Sequence, residues 1–340
     1  MTHSELKKIL EYTSKSIDPV MKELLISYID ERTQEVVSYQ VSTGGKRLRP
    51  ALAIICCKML GGNLEDVLYP AACLEILHNY TLIIDDIVDK SKSRRKEPTL
   101  WFKYGKSIAE ITTLDYAAAL LKGISLSKKS LEVSDVLTRT MKLLTDGEIL
   151  DLLLEQPNRD NEPFLDANRY QEITEKDHFE MVHKKTTELI KASCEIGGLV
   201  AGANEGELEA LRKCGFNFGV AFQIRDDVLD IFGEKEPEGR KKGQDITEGK
   251  IGNIIVLLAL KRLSSSDKEK LLDIIKKRSH DEGDISEAVK LIEETKALSE
   301  ASDLANNFIK EAKKNLDLLP KNRWNDILRD MADYVIERGK

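Results

Sequence analysis

Apolar residues recur at i, i+3, i+4 and i+7 along almost the whole chain, the spacing that turns one side of an α-helix toward a core. Strict alternation is scarce, and Gly and Pro are sparse, 20 and 8 among 340 residues, so strand signals are few. The pattern predicts helices over Val20–Val41, Ala51–Leu60, Leu64–Val88, Ile108–Leu121, Leu131–Leu154 and Arg169–Ala201. It predicts further helices over Glu207–Phe232, Gly252–Leu263, Asp267–Lys277, Ile285–Asn315 and Trp324–Arg338. Pro50 sits at a plausible first helical position after the Ser42–Arg49 loop. Gly61-Gly62-Asn63 is a break, Asp89–Thr99 a polar loop, and Gln156–Asp166 a loop with two prolines. The glycine-rich, charged stretch Glu234–Gly249 suits a mobile lid. Gly197-Gly198 signals a kink or a close approach inside a helix. No fixed-period repeat and no long linker is visible. The expectation is one all-α domain over residues 1–340, a large helical bundle with its active site in a central cavity.

Composition narrows the function. A hydrophobic content of 41% can fill a sizeable core, and a net charge of −7 with interspersed signs argues against a nucleic-acid-binding surface. Cys56, Cys57, Cys73, Cys194 and Cys214 form no CxxC pair. They read as buried free thiols in a reducing compartment. The first residues, MTHSELKKILEY, are amphipathic without the apolar run of a signal peptide. Apolar runs such as Ile254–Leu260 are too short to span a bilayer. A cytoplasmic protein without a transmembrane segment is expected.

The chemistry concentrates in two acidic clusters. LIIDDIVD carries Asp85, Asp86 and Asp89; FQIRDDVLD carries Asp226, Asp227 and Asp230 at the same spacing. Positions i and i+4 share a helix face, so Asp85 aligns with Asp89 and Asp226 with Asp230. Like charges one turn apart destabilise an isolated helix by a few tenths of a kcal/mol. Repeating that in two apolar helices points to an external cation. Oxygen-only ligands favour a hard ion such as Mg²⁺, which bridges to substrate phosphates and keeps several waters. A solvated acidic patch is the alternative for either cluster alone. Upstream, Gly44-Gly45-Lys46-Arg47-Leu48-Arg49-Pro50 puts three cations beside a flexible loop and a helix start, where phosphate is favoured. It is not a P-loop, because GxxxxGK[ST] is absent. Arg94 and Arg95 follow the first cluster and could bind phosphate or merely neutralise the aspartates.

Together GGKRLRP and the paired DDxxD motifs resemble the trans-isoprenyl diphosphate synthases, the polyprenyl synthetase family, in order and spacing from about residue 42 to residue 250. The resemblance implies a prenyltransferase that condenses isopentenyl diphosphate with a C5–C15 allylic diphosphate through Mg-assisted ionisation. It implies Mg²⁺, three ions with substrate bound, and a homodimer. Asp85, Asp86, Asp89, Asp226, Asp227 and Asp230 would be the metal set. Lys46, Arg49, His78 and Arg95 would bind isopentenyl diphosphate, with Arg47 a lesser candidate. Arg94, Lys185, Thr186, Gln223, Lys242 and Lys250 would bind the allylic diphosphate. Lys184 is adjacent to Lys185 and ambiguous with it. Asp85, Asp89, Asp226, Lys185 and Arg94 would carry catalysis.

Helical side chains lean toward the N-terminus, which puts Thr81 and Tyr80 below the metals, on the path of the growing tail. An aromatic at position 80 resembles archaeal-type geranylgeranyl synthases, and geranylgeranyl diphosphate is the expected product, with farnesyl and C25 products open.

Three positions depart from the family pattern: Ile84 stands for a frequent His, Lys96 for a usual Gly, and Leu114 for a usual Gly before Asp115. A weakly active subunit of a heteromeric synthase and a class I terpene cyclase remain open. So does a di-iron bundle protein, because Glu75–His78 and Glu180–His183 are both Glu-x-x-His.

Overall fold

In a computed structural model, residues 3–155, 162–233 and 242–337 are described. In chain order they form α1 His3–Ile26, α2 Gln34–Ser42, α3 Leu48–Met59 and α4 Leu64–Val88. A two-residue hairpin follows, β1 Ser93–Arg94 and β2 Glu97–Pro98, then α5 Leu100–Tyr104, α6 Lys106–Ser125, α7 Ser130–Leu154 and α8 Pro163–Asn168. Next come α9 Glu175–Val182, a π-helical turn His183–Thr187, α10 Glu188–Ala201 and α11 Glu205–Phe232. The chain continues through α12 Gln244–Glu248, α13 Ile254–Leu260, α14 Ser265–Lys276, α15 Glu282–Glu293, α16 Ala297–Leu316 and α17 Arg323–Glu337. The all-α expectation holds.

Contacts divide the chain into two compact units. The first comprises residues 1–141, 189–215 and 313–331. Its centre is α4, whose Ala71, Ala72, Cys73, Leu74 and Ile76 are fully inaccessible. Each buried Leu or Ile there contributes about 1.5–3 kcal/mol. By length and composition α4 could cross a bilayer, which counting uninterrupted apolar runs did not reveal. Its apolar side chains are instead buried against α1, α3 and α6, as in the core helix of a globular protein. Small residues allow the close contacts. A Cβ on Gly123 would fall 2.4 Å from Cys73 Sγ, and one on Gly197 would fall 2.3 Å from the Ala53 carbonyl oxygen. Gly197-Gly198 is therefore a packing device, and α10 runs through it unbroken.

The second unit comprises residues 142–188, 216–312 and 332–340. Its core joins Val220, Ile224, Val228 and Ile231 of α11 to Ile254, Ile255 and Leu258 of α13 and to apolar faces of α14, α15 and α16. All five cysteines are buried free thiols.

Two predicted helices are each two, and a third starts later and changes its winding midway. Val20–Val41 breaks at residues 27–33, where Tyr28 adopts a left-handed φ of 66° and the Asp30 carboxylate accepts from Arg32 N. Ile285–Asn315 breaks at Thr295, whose hydroxyl accepts from Ala297 N at 3.1 Å. Arg169–Ala201 starts only at Glu175, behind a reciprocal Thr174–Asp177 capping box, and then passes through the π-helical turn. The Asp89–Thr99 loop contains the hairpin, and the Gln156–Asp166 loop contains the start of α8. Of the expected lid, residues 234–241 lie outside the described residues. The remainder includes α12.

Candidate active site

In the first unit the acidic cluster ends α4. Asp85 and Asp89 are half-buried one turn apart, while Asp86 is buried. Asp86 Oδ1 accepts a 2.9 Å bond from Arg94 Nε. Burial pushes the Asp86 carboxyl up to about 6, against the pull of the arginine. The hairpin aims Arg94: Ser93 stands opposite Pro98 and Arg94 opposite Glu97. Arg95 and Lys96 turn the corner with φ of 54° and 69°. The base of this loop is tied down. Thr99 Oγ1 and Trp101 Nε1 both donate to the Ser91 carbonyl at 2.7 Å, and Tyr39 Oη donates to the Pro98 carbonyl at 2.8 Å.

The GGKRLRP loop meets this hairpin. The Gly44 carbonyl accepts from Arg47 Nη1 at 2.9 Å and from Arg95 Nη1. Gly45, at φ 140°, has both guanidinium groups 3.0 Å from where a Cβ would be. The three cations of the heptad have different fates. Arg47 is 2% exposed. It donates to Asp18 at 2.8 Å, to Glu75 at 3.2 Å and to the Val41 carbonyl at 2.9 Å. It braces the loop, so of the heptad's cations only Lys46 and Arg49 reach toward solvent. Lys46 is exposed and Arg49 half-buried. His78 is held neutral: burial first, then the fields of Arg49, Arg95, Arg94 and Arg47, push its pKa well below the usual value. Arg49, His78 and Arg95 are thus gathered in one strongly positive locality. Thr81 and Tyr80 are half-buried on the same helix, and Thr81 Oγ1 donates to the His78 carbonyl at 2.9 Å.

In the second unit the acidic cluster belongs to α11, and its members separate. Asp226 and Asp230 share a face. Asp227 turns to internal partners: its Oδ1 accepts from Gln223 Nε2 at 2.8 Å and its Oδ2 from Ile254 N at 2.9 Å. Burial, and then Asp245, raise its carboxyl to about 8. Asp227 is 4% exposed and committed to the fold; Asp226 is buried too, at 9%, and Asp230 is half-buried. Gln223 continues the chain of bonds, because its Oε1 accepts from Thr186 Oγ1 at 2.8 Å.

Thr186 and Lys185 lie in the π-helical turn, a feature common at functional sites. Lys185 Nζ donates to Glu148 Oε2 and Asp151 Oδ2, both at 2.7 Å. Lys184 instead pairs with Asp146 and Glu180, each at 2.7 Å. Two glycines admit the turn. A Cβ on Gly147 would fall 2.3 Å from Lys185 N, and one on Gly219 would fall 2.9 Å from Thr187 Cα. Lys250 Nζ pairs with Glu248 at 2.8 Å, and Lys242 is exposed.

Sequence reasoning missed Glu148, Asp151, His178 and Asn253. The usable signal for the first two was Gly147, since a glycine inside a helix costs about 1 kcal/mol and marks a close approach. The Glu-x-x-His pairs do not make a metal site. Glu75 is held by Arg47 and Glu180 by Lys184. Among the described residues, no three His, Cys, Asp or Glu side chains converge on one point. The oxygen donors of each cluster still fit Mg²⁺, which takes one or two carboxylates and fills its octahedron with water and phosphate oxygens.

A profile of the polyprenyl synthetase family matches residues 30–292. The chain is 33% identical over 339 residues to a geranylgeranyl diphosphate synthase of Methanosarcina mazei, covering 96% of this chain and 95% of the relative. It is 34% identical over 329 residues to a short chain isoprenyl diphosphate synthase of Methanocaldococcus jannaschii, covering 95% of each. Among solved structures, a geranylgeranyl pyrophosphate synthetase from Pyrococcus horikoshii matches with a TM-score of 0.88 at 28% identity over 99% of both chains.

Proposed function

This chain belongs to the polyprenyl synthetase family, and we propose that within it the enzyme makes geranylgeranyl diphosphate. It is a trans-prenyltransferase that joins isopentenyl diphosphate to an allylic diphosphate and gives a short-chain product. The observation that carries the site assignment is the positive locality around His78, where burial first and then the fields of four arginines push the histidine's pKa well below its usual value. Such a field is matched by a polyanion, and a diphosphate supplies one.

Lys46, Arg49 and Arg95 hold the diphosphate of isopentenyl diphosphate, and neutral His78 donates one hydrogen bond to it. Arg94, Lys185, Thr186 and Lys250 grip the allylic diphosphate, with Lys242 closing on it from the lid. Gln223 orients Thr186. These cations stabilise the negative charge that grows on the departing diphosphate. Asp85, Asp89, Asp226 and Asp230 would hold Mg²⁺, which when bound supplies Lewis-acid stabilisation of that charge. The isopentenyl double bond attacks the allylic carbon, and the released diphosphate is the base that takes the proton. No protein nucleophile is needed.

Tyr80 forms the floor of the tail pocket. A homodimer accounts for a feature of α6: Ile108, Ile111, Leu114 and Leu121 are 43–71% exposed at spacings that share a helix face. A bare apolar face of this kind is ordinarily covered by a partner, and Leu114, the departure from the family glycine, enlarges it. The free thiols suit the cytoplasm.

The test is incubation of the full chain with labelled isopentenyl diphosphate, Mg²⁺ and each of the C5, C10 and C15 primers, followed by sizing of the products. A C20 product is expected, and Tyr80→Ala should lengthen it. Absence of product with every primer would refute the assignment. An unchanged profile in Tyr80→Ala would remove the floor role.

A further inference from the structure

Two side chains of the second unit make strong contacts that the site account does not use. Asn253 precedes α13. Its Oδ1 accepts from Ile255 N at 2.8 Å, an ordinary N-cap. Its Nδ2 does something a cap does not need: it donates to Asp245 Oδ2 at 2.8 Å and to the Asp227 carbonyl at 3.3 Å. It thereby bridges the segment that carries Lys250 to the helix that carries the second acidic cluster. His178, fully buried on α9, donates from Nδ1 to the Gly252 carbonyl at 2.6 Å, one residue before Asn253. Asp227 Oδ2 takes Ile254 N on the other side. Gly252, Asn253 and Ile254 are thus each held by a different anchor. Lys250 is two residues away, and its own amide donates to the Asp245 carbonyl at 2.9 Å.

We propose that Asn253 and His178 are positioning residues that latch the Gly243–Gly252 segment onto α9 and α11 and so hold Lys250 ready for the allylic diphosphate. The proposal rests on the diphosphate role of Lys250 given above. Through Asp227, Gln223 and Thr186 the same latch joins the π-helical turn, so one hydrogen-bonded chain runs from Lys185-Thr186 to the start of α13.

The kinetic consequence follows from population arithmetic. If the latch opens, only a fraction of molecules hold Lys250 in place, and apparent affinity for the allylic primer falls by that fraction. Bound primer restores the closed form, so kcat changes little. Residues that bind isopentenyl diphosphate are not on the latch, so its KM does not move.

Asn253→Asp separates latch from cap. Aspartate caps a helix as well as asparagine does, but it cannot donate to Asp245 or Asp227. In the full chain this variant should raise the KM for the allylic primer about tenfold, the loss of about one buried hydrogen bond, with kcat and the isopentenyl KM unchanged. Hydrogen exchange should quicken about tenfold at the Lys250 and Ile251 amides, while the Leu257 amide inside α13 keeps its protection. His178→Phe should move both readouts the same way. Unchanged exchange at Lys250 and Ile251 in Asn253→Asp overturns the latch, whatever the kinetics do. So does a KM effect shared equally by both substrates. If the unaltered chain makes no prenyl product, that outcome counts against the enzymatic reading alone, and the exchange measurement still decides whether the segment is latched.

Discussion

Replacing Arg47 with methionine separates the cation that braces the GGKRLRP loop from the two proposed to bind phosphate there. Arg47 is buried and donates to two carboxylates and two backbone carbonyls, one of the carboxylates being Glu75, itself 2% exposed. Methionine fills similar volume and removes all of these bonds. Glu75 is then a buried charge without its cation, and breaking a buried ion pair from one side costs about 3–5 kcal/mol. The Val41 and Gly44 carbonyls each lose one donor but keep another, Gly44 N and Arg95 Nη1 respectively, so the broken ion pair dominates the loss. For a unit of this size, a loss of about 3 kcal/mol lowers Tm by roughly 6–12 °C. Thermal and urea denaturation of Arg47→Met, Lys46→Met and Arg49→Met should show a large stability loss for the first alone. The other two should raise the KM for isopentenyl diphosphate at near-normal stability. The cycle has a second arm. Arg47→Met with Glu75→Met removes both charges and should recover most of the stability, because the penalty lies in the uncompensated carboxylate and not in the missing attraction. A stability loss under 1 kcal/mol in Arg47→Met, or a double variant no better than the single, would refute this account of the loop.

Gly147→Ala puts a methyl 2.3 Å from Lys185 N, a backbone atom that cannot swing aside. It should cost about 1–3 kcal/mol and depress turnover of the allylic primer, and wild-type melting together with wild-type turnover would contradict the close approach. Lys96→Gly relieves a side chain held at φ 69° and should stabilise by up to about 1 kcal/mol in urea denaturation, whereas a loss would show that Lys96 makes contacts that outweigh its strain. Burial lowers His178 from 6.5 to about 4, so as pH falls through that window the unfolded chain takes up a proton the folded chain refuses, and up to about 3 kcal/mol of stability is lost. Asp227, raised to about 8 and 3.9 Å from His178, has the opposite sign but is present in both proteins, so His178→Gln should flatten the acid limb measured by urea midpoints from pH 7 to 4.5, and parallel limbs would rule it out.

What could be read in the sequence, and what could not, divides along a physical line. Helical periodicity and Asp-x-x-x-Asp spacing are local facts, fixed by the geometry of one turn. They gave the all-α class and the two acidic clusters. Breaks that depend on one side chain were missed, because Tyr28 and Thr295 look unremarkable in a periodicity count. The contrast between the middle aspartates and their neighbours was also out of reach. Asp85, Asp86 and Asp89 are one string of letters, yet Asp86 is committed to Arg94 by a hairpin that turns on two left-handed residues. Asp227 is committed to Ile254, 27 residues on. Within GGKRLRP the three cations are indistinguishable by composition, and only the position of Asp18 and Glu75 selects Arg47 as the brace. Motif reading therefore finds the set of charged groups, whereas tertiary contacts decide which of them face a ligand. In each cluster the second aspartate is spent on holding its helix in place, Asp86 on Arg94 and Asp227 on Gln223 and Ile254. That arrangement suits the diphosphate site proposed above, since carboxylates that are to meet an ion and its water shell in a fixed geometry need a neighbour that keeps their helix from turning.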